Sequence, residues 1–85
     1  MSAKLAKGVS LTEIEGKAVL FAMRTGDTFG LSETAAVFLR ALLKGTFESA
    51  VVAVTDSYDA DPKAVGDDMR ELLAELERMK LLERA

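Results

Sequence analysis

Apolar and polar residues alternate imperfectly from Val9 to Ile14, where Val9, Leu11, Thr12 and Ile14 give strand character. A period of two marks a β-strand with one covered face. Glu15-Gly16 reads as a two-residue hairpin turn, because glycine tolerates the positive φ such turns need. Lys17 to Arg24 follows, apolar from Ala18 to Met23, which suits a central strand with both faces partly covered. Thr25-Gly26-Asp27 turns the chain again. Thr28 to Leu31 then alternates, with Phe29 and Leu31 on one face and Thr28 and Gly30 on the other. The pattern predicts three strands in a meander. Residues 1–8 read as a flexible N-terminal arm and residues 9–85 as a single domain.

After Ser32 the period lengthens. Ser32 is suited to cap a helix, with Glu33 in the first turn where it complements the dipole. Ala35, Phe38, Leu39 and Leu42 fall at i, i+3, i+4 and i+7, and Gly45 is a natural stop after Lys44. Thr46 caps a second helix, carrying Phe47, Val51, Val54 and Tyr58 at helical spacing. The run Val51 to Thr55 has strong β propensity, but cap and period agree on helix. Asp59-Ala60-Asp61-Pro62 is a break, with Asp61 as the next cap and Pro62 at the position where a missing N–H costs nothing. The third helix gathers Val65, Met69, Leu72, Leu73, Leu76 and Met79 on one side. Ion pairs are expected between Asp67 and Arg70, Glu75 and Arg78, and Glu77 and Lys80. Leu81-Leu82 is expected to fold back onto the core. The fold class is α+β: a three-stranded antiparallel β-meander followed by three α-helices, winged-helix-like with the elements in reverse order.

Composition narrows the chemistry. The 85 residues suit one small domain, and 49% hydrophobic with 29% charged residues is a globular balance. With no cysteine there is no disulfide or thiolate site, and with no histidine there is no imidazole ligand or general base of the usual kind. Asp59, Asp61, Asp67 and Asp68 resemble a carboxylate cluster, but a turn, a cap and a dipole-matched first turn need acidic residues anyway, and the EF-hand glycine and terminal glutamate are missing. Ser10, Ser32, Ser49 and Ser57 have no local partner that activates a nucleophile, and Gly26 and Gly30 form no phosphate loop. Met23, Met69 and Met79 read as core fillers, with Met69 also suited to an adaptable peptide pocket. Gly30 reads either as a bulge or as a place where another backbone comes close. No catalytic residue, cofactor or metal is expected.

The net charge of −3, with basic residues scattered, argues against duplex nucleic acid as a partner. The longest apolar run is too short to span a bilayer and no apolar signal core follows Lys4 and Lys7, so no membrane partner is expected and a cytoplasmic location is the default. What remains is a third strand at the end of a sheet, its outer backbone groups unpaired and a helix beside it, where a peptide can dock.

Four stretches carry a family resemblance. They are the second strand with Arg24-Thr25-Gly26-Asp27; Phe29 to Ala36; Tyr58-Asp59-Ala60-Asp61; and Asp67-Asp68 through Leu72-Leu73-Ala74-Glu75-Leu76, ending in Lys80-Leu81-Leu82. In this order and spacing residues 9 to 83 resemble the PqqD-like family, the leader-peptide recognition elements of ribosomal peptide-modification pathways. Ser32 stands where the family usually has asparagine, Lys80 where it has glycine, and Gly30 is smaller than many residues found there. The resemblance implies a non-catalytic adaptor that takes the leader of a precursor peptide as an antiparallel strand on the third strand, against the third helix. Thr28, Phe29, Gly30 and Leu31 are then the expected ladder, and Val65, Asp68, Met69, Leu72 and Leu73 the expected helix wall. Implied partners are the precursor-peptide leader and a modifying enzyme, such as a radical SAM enzyme, or a leader protease or cyclase. The competing readings are a winged-helix nucleic-acid-binding domain and a structural subunit of a larger complex.

Overall fold

The computed structural model describes residues 2–84. Strands β1 (Ala3–Leu5), β2 (Val9–Ile14), β3 (Lys17–Ala22) and β4 (Asp27–Gly30) precede helices α1 (Glu33–Lys44), α2 (Phe47–Tyr58) and α3 (Pro62–Arg78), and β5 (Leu82–Arg84) closes the order. The predicted meander is the antiparallel sheet β2-β3-β4. Its first turn has positive φ at both Glu15 (53°) and Gly16 (79°), the requirement of a type I′ hairpin, whose twist matches that of the flanking strands.

The three helices start where the sequence places their caps. The Ser32 hydroxyl accepts from the Ala35 amide at 3.1 Å, and Asp61 accepts from the Lys63 amide at 3.4 Å. Thr46 and Ser49 exchange bonds reciprocally in a capping box. This box helps hold Val51 to Thr55 in α2 against their β propensity. Phe47, Ala50 and Val54 go into the core while Val52 stays exposed. Gly45 does end α1, but not by a left-handed turn, since its φ is −154°. Its small size is used instead: a Cβ there would lie 2.6 Å from the Ser49 hydroxyl of the capping box.

The helices cover one face of the sheet. Register pairs Val9 with Ala22, Leu11 with Leu20, and Leu20 with Phe29, so these residues share the inner face and join the core. Leu20, Phe38, Leu39, Leu42, Val54 and Leu73 are its fully buried centre. Phe38 and Phe47 meet edge to face at 5.7 Å, and the Arg70 guanidinium caps the Phe47 ring at 5.2 Å.

Four expectations need correction. The arm over residues 1–8 is not loose throughout: Ala3–Leu5 pairs antiparallel with Leu82–Arg84, and Ala3 is buried. Met1 lies outside the described residues. Three residues carry too short a pattern to read, and the partner strand sits at the other end of the chain. Second, Glu77 bonds Arg84 in β5 at 2.9 Å through both carboxylate oxygens, not Lys80. Lys80 has already left the helix with φ at 61°, so the i, i+3 geometry is lost. Third, Met23 and Met79 are 69% and 38% exposed, so of the three methionines only Met69 fills the core. Fourth, the third strand starts one residue earlier, at Asp27, because that residue pairs with Ala22.

Candidate functional site: the free edge of β4

β4 pairs with β3 on one side only. The Leu31 amide continues the ladder, donating to the Ala18 carbonyl at 2.9 Å. Bonded and non-bonded pairs alternate in an antiparallel ladder, so the backbone groups of Phe29 turn toward β3. Those of Thr28 and Gly30 turn outward, toward the place a further strand occupies.

β2 is the other edge of the same sheet, and it is partly closed. By the same alternation the Val9 amide points outward, and it is taken by the Ala6 carbonyl at 3.0 Å. Ala6 in turn donates to the Leu81 carbonyl at 3.0 Å, tying that edge to the end of α3. At the far end of β2 the Glu13 carboxylate is held by Arg40 of α1 at 3.0 Å. Nothing comparable is bonded to the outer side of β4 among the described residues.

The inner side of β4 opens on a cleft of about 400 Å³. Ala22, Asp27 and Phe29 share its sheet wall with Val9 of β2, the Ala6–Gly8 segment lines one side, and Met79, Lys80 and Leu81 past the end of α3 line the other. Of the five α3 residues expected as a wall, Val65, Met69 and Leu73 are buried in the core, Leu72 is half-buried and Asp68 is exposed. Met79, which lies seven residues after Leu72 on the same stripe, joins Phe29 in the cleft. That spacing was the signal for it in the sequence, masked by treating methionine as filler. At the other end of β4, Tyr58 approaches the start of α1. Its hydroxyl is pushed above the ordinary 10.0 by desolvation first, then by the charge of the Glu33 carboxylate and a hydrogen bond to it, with Thr34 pulling the other way. The acidic residues have structural duties: Asp61 caps α3, and Asp67 pairs with Arg70 at 3.3 Å.

A small α+β domain in which the β4 edge lies open is thus the class defined by the geometry. The chain belongs to the family described as coenzyme PQQ synthesis protein D (PqqD), whose model matches residues 17–82. It superposes on a solved structure described as TbiB1 in complex with the TbiA(beta) leader peptide, with a TM-score of 0.81, 30% identity and 94% of each chain covered. A second, described as lasso peptide synthetase B1 complexed with the leader peptide, gives 0.89 at 20% identity, covering 98% of this chain and 99% of that one. No curated protein matches the chain. Among the described residues no helix is long and apolar enough to cross a membrane.

Proposed function

We propose that this protein binds the leader segment of a ribosomally made precursor peptide as an added antiparallel strand on β4, and presents it to a modifying enzyme or leader protease. The observation that carries the reading is the contrast between the two sheet edges, β2 partly closed and β4 open. Membership of the PqqD family supports it, as do two solved relatives described as leader-peptide complexes. Main-chain bonds to Thr28 and Gly30 supply affinity, and side chains at alternate guest positions reach Phe29, Leu31 and the Leu72–Met79 stripe, giving selectivity. Val65, Met69 and Leu73 form the floor beneath, and Asp68 the rim.

In this reading the protein is a cytoplasmic adaptor and not an enzyme. It raises the effective concentration of a substrate beside a partner that does the chemistry. A nucleic-acid role is disfavoured by the acidic balance and by the carboxylates of α3, where Asp67, Asp68, Glu71, Glu75 and Glu77 accompany Lys63, Arg70 and Arg78.

The test is a backbone NMR titration with the leader of a precursor peptide encoded beside this gene. Shifts at Thr28 to Leu31 and along Leu72 to Met79 are expected. Shifts confined to β2 or to the outer side of α2 sink the site.

A further inference from the structure

The geometry points to a hollow between Lys7, Met23 and Arg24, on the face of the sheet that the helices leave uncovered, as the docking surface for the enzyme that receives the guest. The enzyme meets it with an apolar patch rimmed by carboxylates. The inference rests on the antiparallel docking proposed above and adds where the enzyme sits and what surface chemistry it brings.

The ladder between β2 and β3 runs one pair past the strand ends, where the Met23 amide donates to the Gly8 carbonyl at 2.8 Å. Side chains alternate along β3, and Leu20 points into the core, so Met23 shares the outer face with Val19 and Phe21. Met23 is the most exposed of the large apolar residues described. The Arg24 stem passes over Gly8, its Cγ 3.6 Å from where a Cβ would stand. With Lys7 these residues line an open hollow of about 500 Å³, and no carboxylate is among them. Arg40, Arg70, Arg78 and Arg84 each hold a carboxylate, whereas Arg24 alone of the five arginines meets none among the described residues. Lys7, also exposed, meets none either. The chain has 14 acidic residues against 11 basic ones, so this cationic corner runs against its overall balance.

A lone exposed methionine is ordinary on a protein surface. This one lies where the guest leaves. β4 runs from Asp27 to Gly30, so an antiparallel guest passes Gly30 first and Asp27 last. The rest of the precursor follows its leader in the chain and therefore emerges at the Thr25-Gly26 turn, next to Arg24. The guest lies two strand spacings, about 10 Å, from β3 and its extension through Met23. A standard interface takes about 20–30 residues a side, so an enzyme seated on the hollow also covers that exit. Methionine and arginine are residue types that interfaces favour, and carboxylates opposite Lys7 and Arg24 steer the encounter. A second copy of this chain fits poorly, because a two-fold contact centred on the hollow gathers four cations.

The experiment uses isothermal titration calorimetry on the full chain, with the leader of the precursor peptide encoded beside this gene and the purified enzyme encoded there that converts the precursor. Met23→Asp is expected to bind the leader within about twofold of wild type, because Met23 lines the hollow and not the cleft. Its leader-loaded form is expected to bind the enzyme at least about tenfold more weakly than leader-loaded wild type. Wild-type association with the enzyme should weaken with added sodium chloride, and Arg24→Glu should lower it and flatten that salt dependence. Met23→Ser repeats the comparison if aspartate disturbs the fold, as read by circular dichroism. Equal enzyme binding by Met23→Asp and wild type, or none by leader-loaded wild type, overturns the inference, while intact leader binding keeps the docking reading. An equal loss of leader and enzyme affinity in Met23→Asp also overturns it, by assigning Met23 to the guest. A wild-type dimer in sedimentation that Met23→Asp dissolves overturns it in favour of a second copy. A wild-type chain that binds no leader overturns both readings.

Discussion

The Leu81 amide donates to the Leu76 carbonyl at 2.9 Å, reaching back five residues where a helix reaches four. The Lys80 amide bonds the Glu77 carbonyl at 3.0 Å inside that loop, and Lys80 itself is left-handed. Leu76 and Leu81 are both buried in the core. These are the parts of a Schellman stop, in which an apolar contact locks the turn that two back-reaching bonds create. The stop aims Leu82–Arg84 onto Ala3–Leu5, and it places Met79 and Lys80 at the mouth of the cleft.

Left-handed backbone costs a residue with a Cβ about 1–2 kcal/mol, partly offset by the extra chain entropy that glycine loses on folding. Lys80→Gly is therefore expected to stabilise the domain by about 0.5–1 kcal/mol, and Lys80→Val to destabilise it. Urea unfolding curves read both changes directly. A lower midpoint for Lys80→Gly contradicts the assignment of strain to this position.

Proline at position 30 removes an N–H that faces outward, whereas at position 29 it removes one that faces β3. Edge-strand proline is tolerated only in the first case. Gly30→Pro is expected to keep the fold and weaken leader binding at least tenfold, the loss of about 1.4 kcal/mol or more. Phe29→Pro is expected to destabilise the fold more than Gly30→Pro does, because it removes a ladder bond to β3. Thermal melts beside isothermal titration calorimetry separate the two outcomes.

Leu72 and Leu73 are neighbours on α3 with different work. Leu73 is fully buried, so Leu73→Ala is expected to lose about 2–5 kcal/mol through transfer and cavity terms, enough to unfold much of so small a domain. Leu72 is half-buried at the margin of the core, and Leu72→Ala is expected to cost about 1 kcal/mol of stability and, under the proposed function, a larger share of leader affinity. Equal effects of Leu72→Ala on stability and binding count against a direct contact.

Tyr58 is the sole tyrosine, and there is no tryptophan, so ultraviolet absorbance reports its ionisation alone. The midpoint is expected above 10.0, and Glu33→Gln should lower it. A raised phenol pKa means the folded state holds its proton more firmly. The associated stability is fully present below the unfolded value near 10 and is lost as pH rises through the folded one. An unshifted midpoint in the wild type removes this contact.

Local signals account for most of what could be read from the sequence. Ser32, Thr46 and Asp61 announce their helices because a cap bonds within three residues of itself. The period-two pattern of Thr28 to Leu31 puts Phe29 and Leu31 on the covered face, whereas the outward turn of the Thr28 and Gly30 backbone groups follows from the Leu31–Ala18 bond and the register with β3. The misses are all non-local or steric. β1 pairs with the opposite end of the chain, Glu77 turns to Arg84 in another element, and Gly45 is small because of Ser49, not because of its own backbone. The partial closure of the rival edge depends on Ala6 meeting Val9 and Leu81, and on Arg40 meeting Glu13. No spacing rule encodes those meetings. In the candidate site, α3 was legible as one apolar side, but the division between buried floor and open wall depends on how the helix is rolled against α1 and α2.

The pairing of Ala3 with Arg84 places the first and last described strands side by side. Strand neighbours stand about 5 Å apart, so the chain enters and leaves the fold at nearly one point. A module with that geometry can be spliced into a surface loop of an unrelated host without stretching either junction. The open edge of β4 lies in the other sheet, and only the far wall of its cleft, at Glu83, belongs to the joint. Under the proposed function, such a graft is expected to act as a transplantable handle for a leader-tagged substrate.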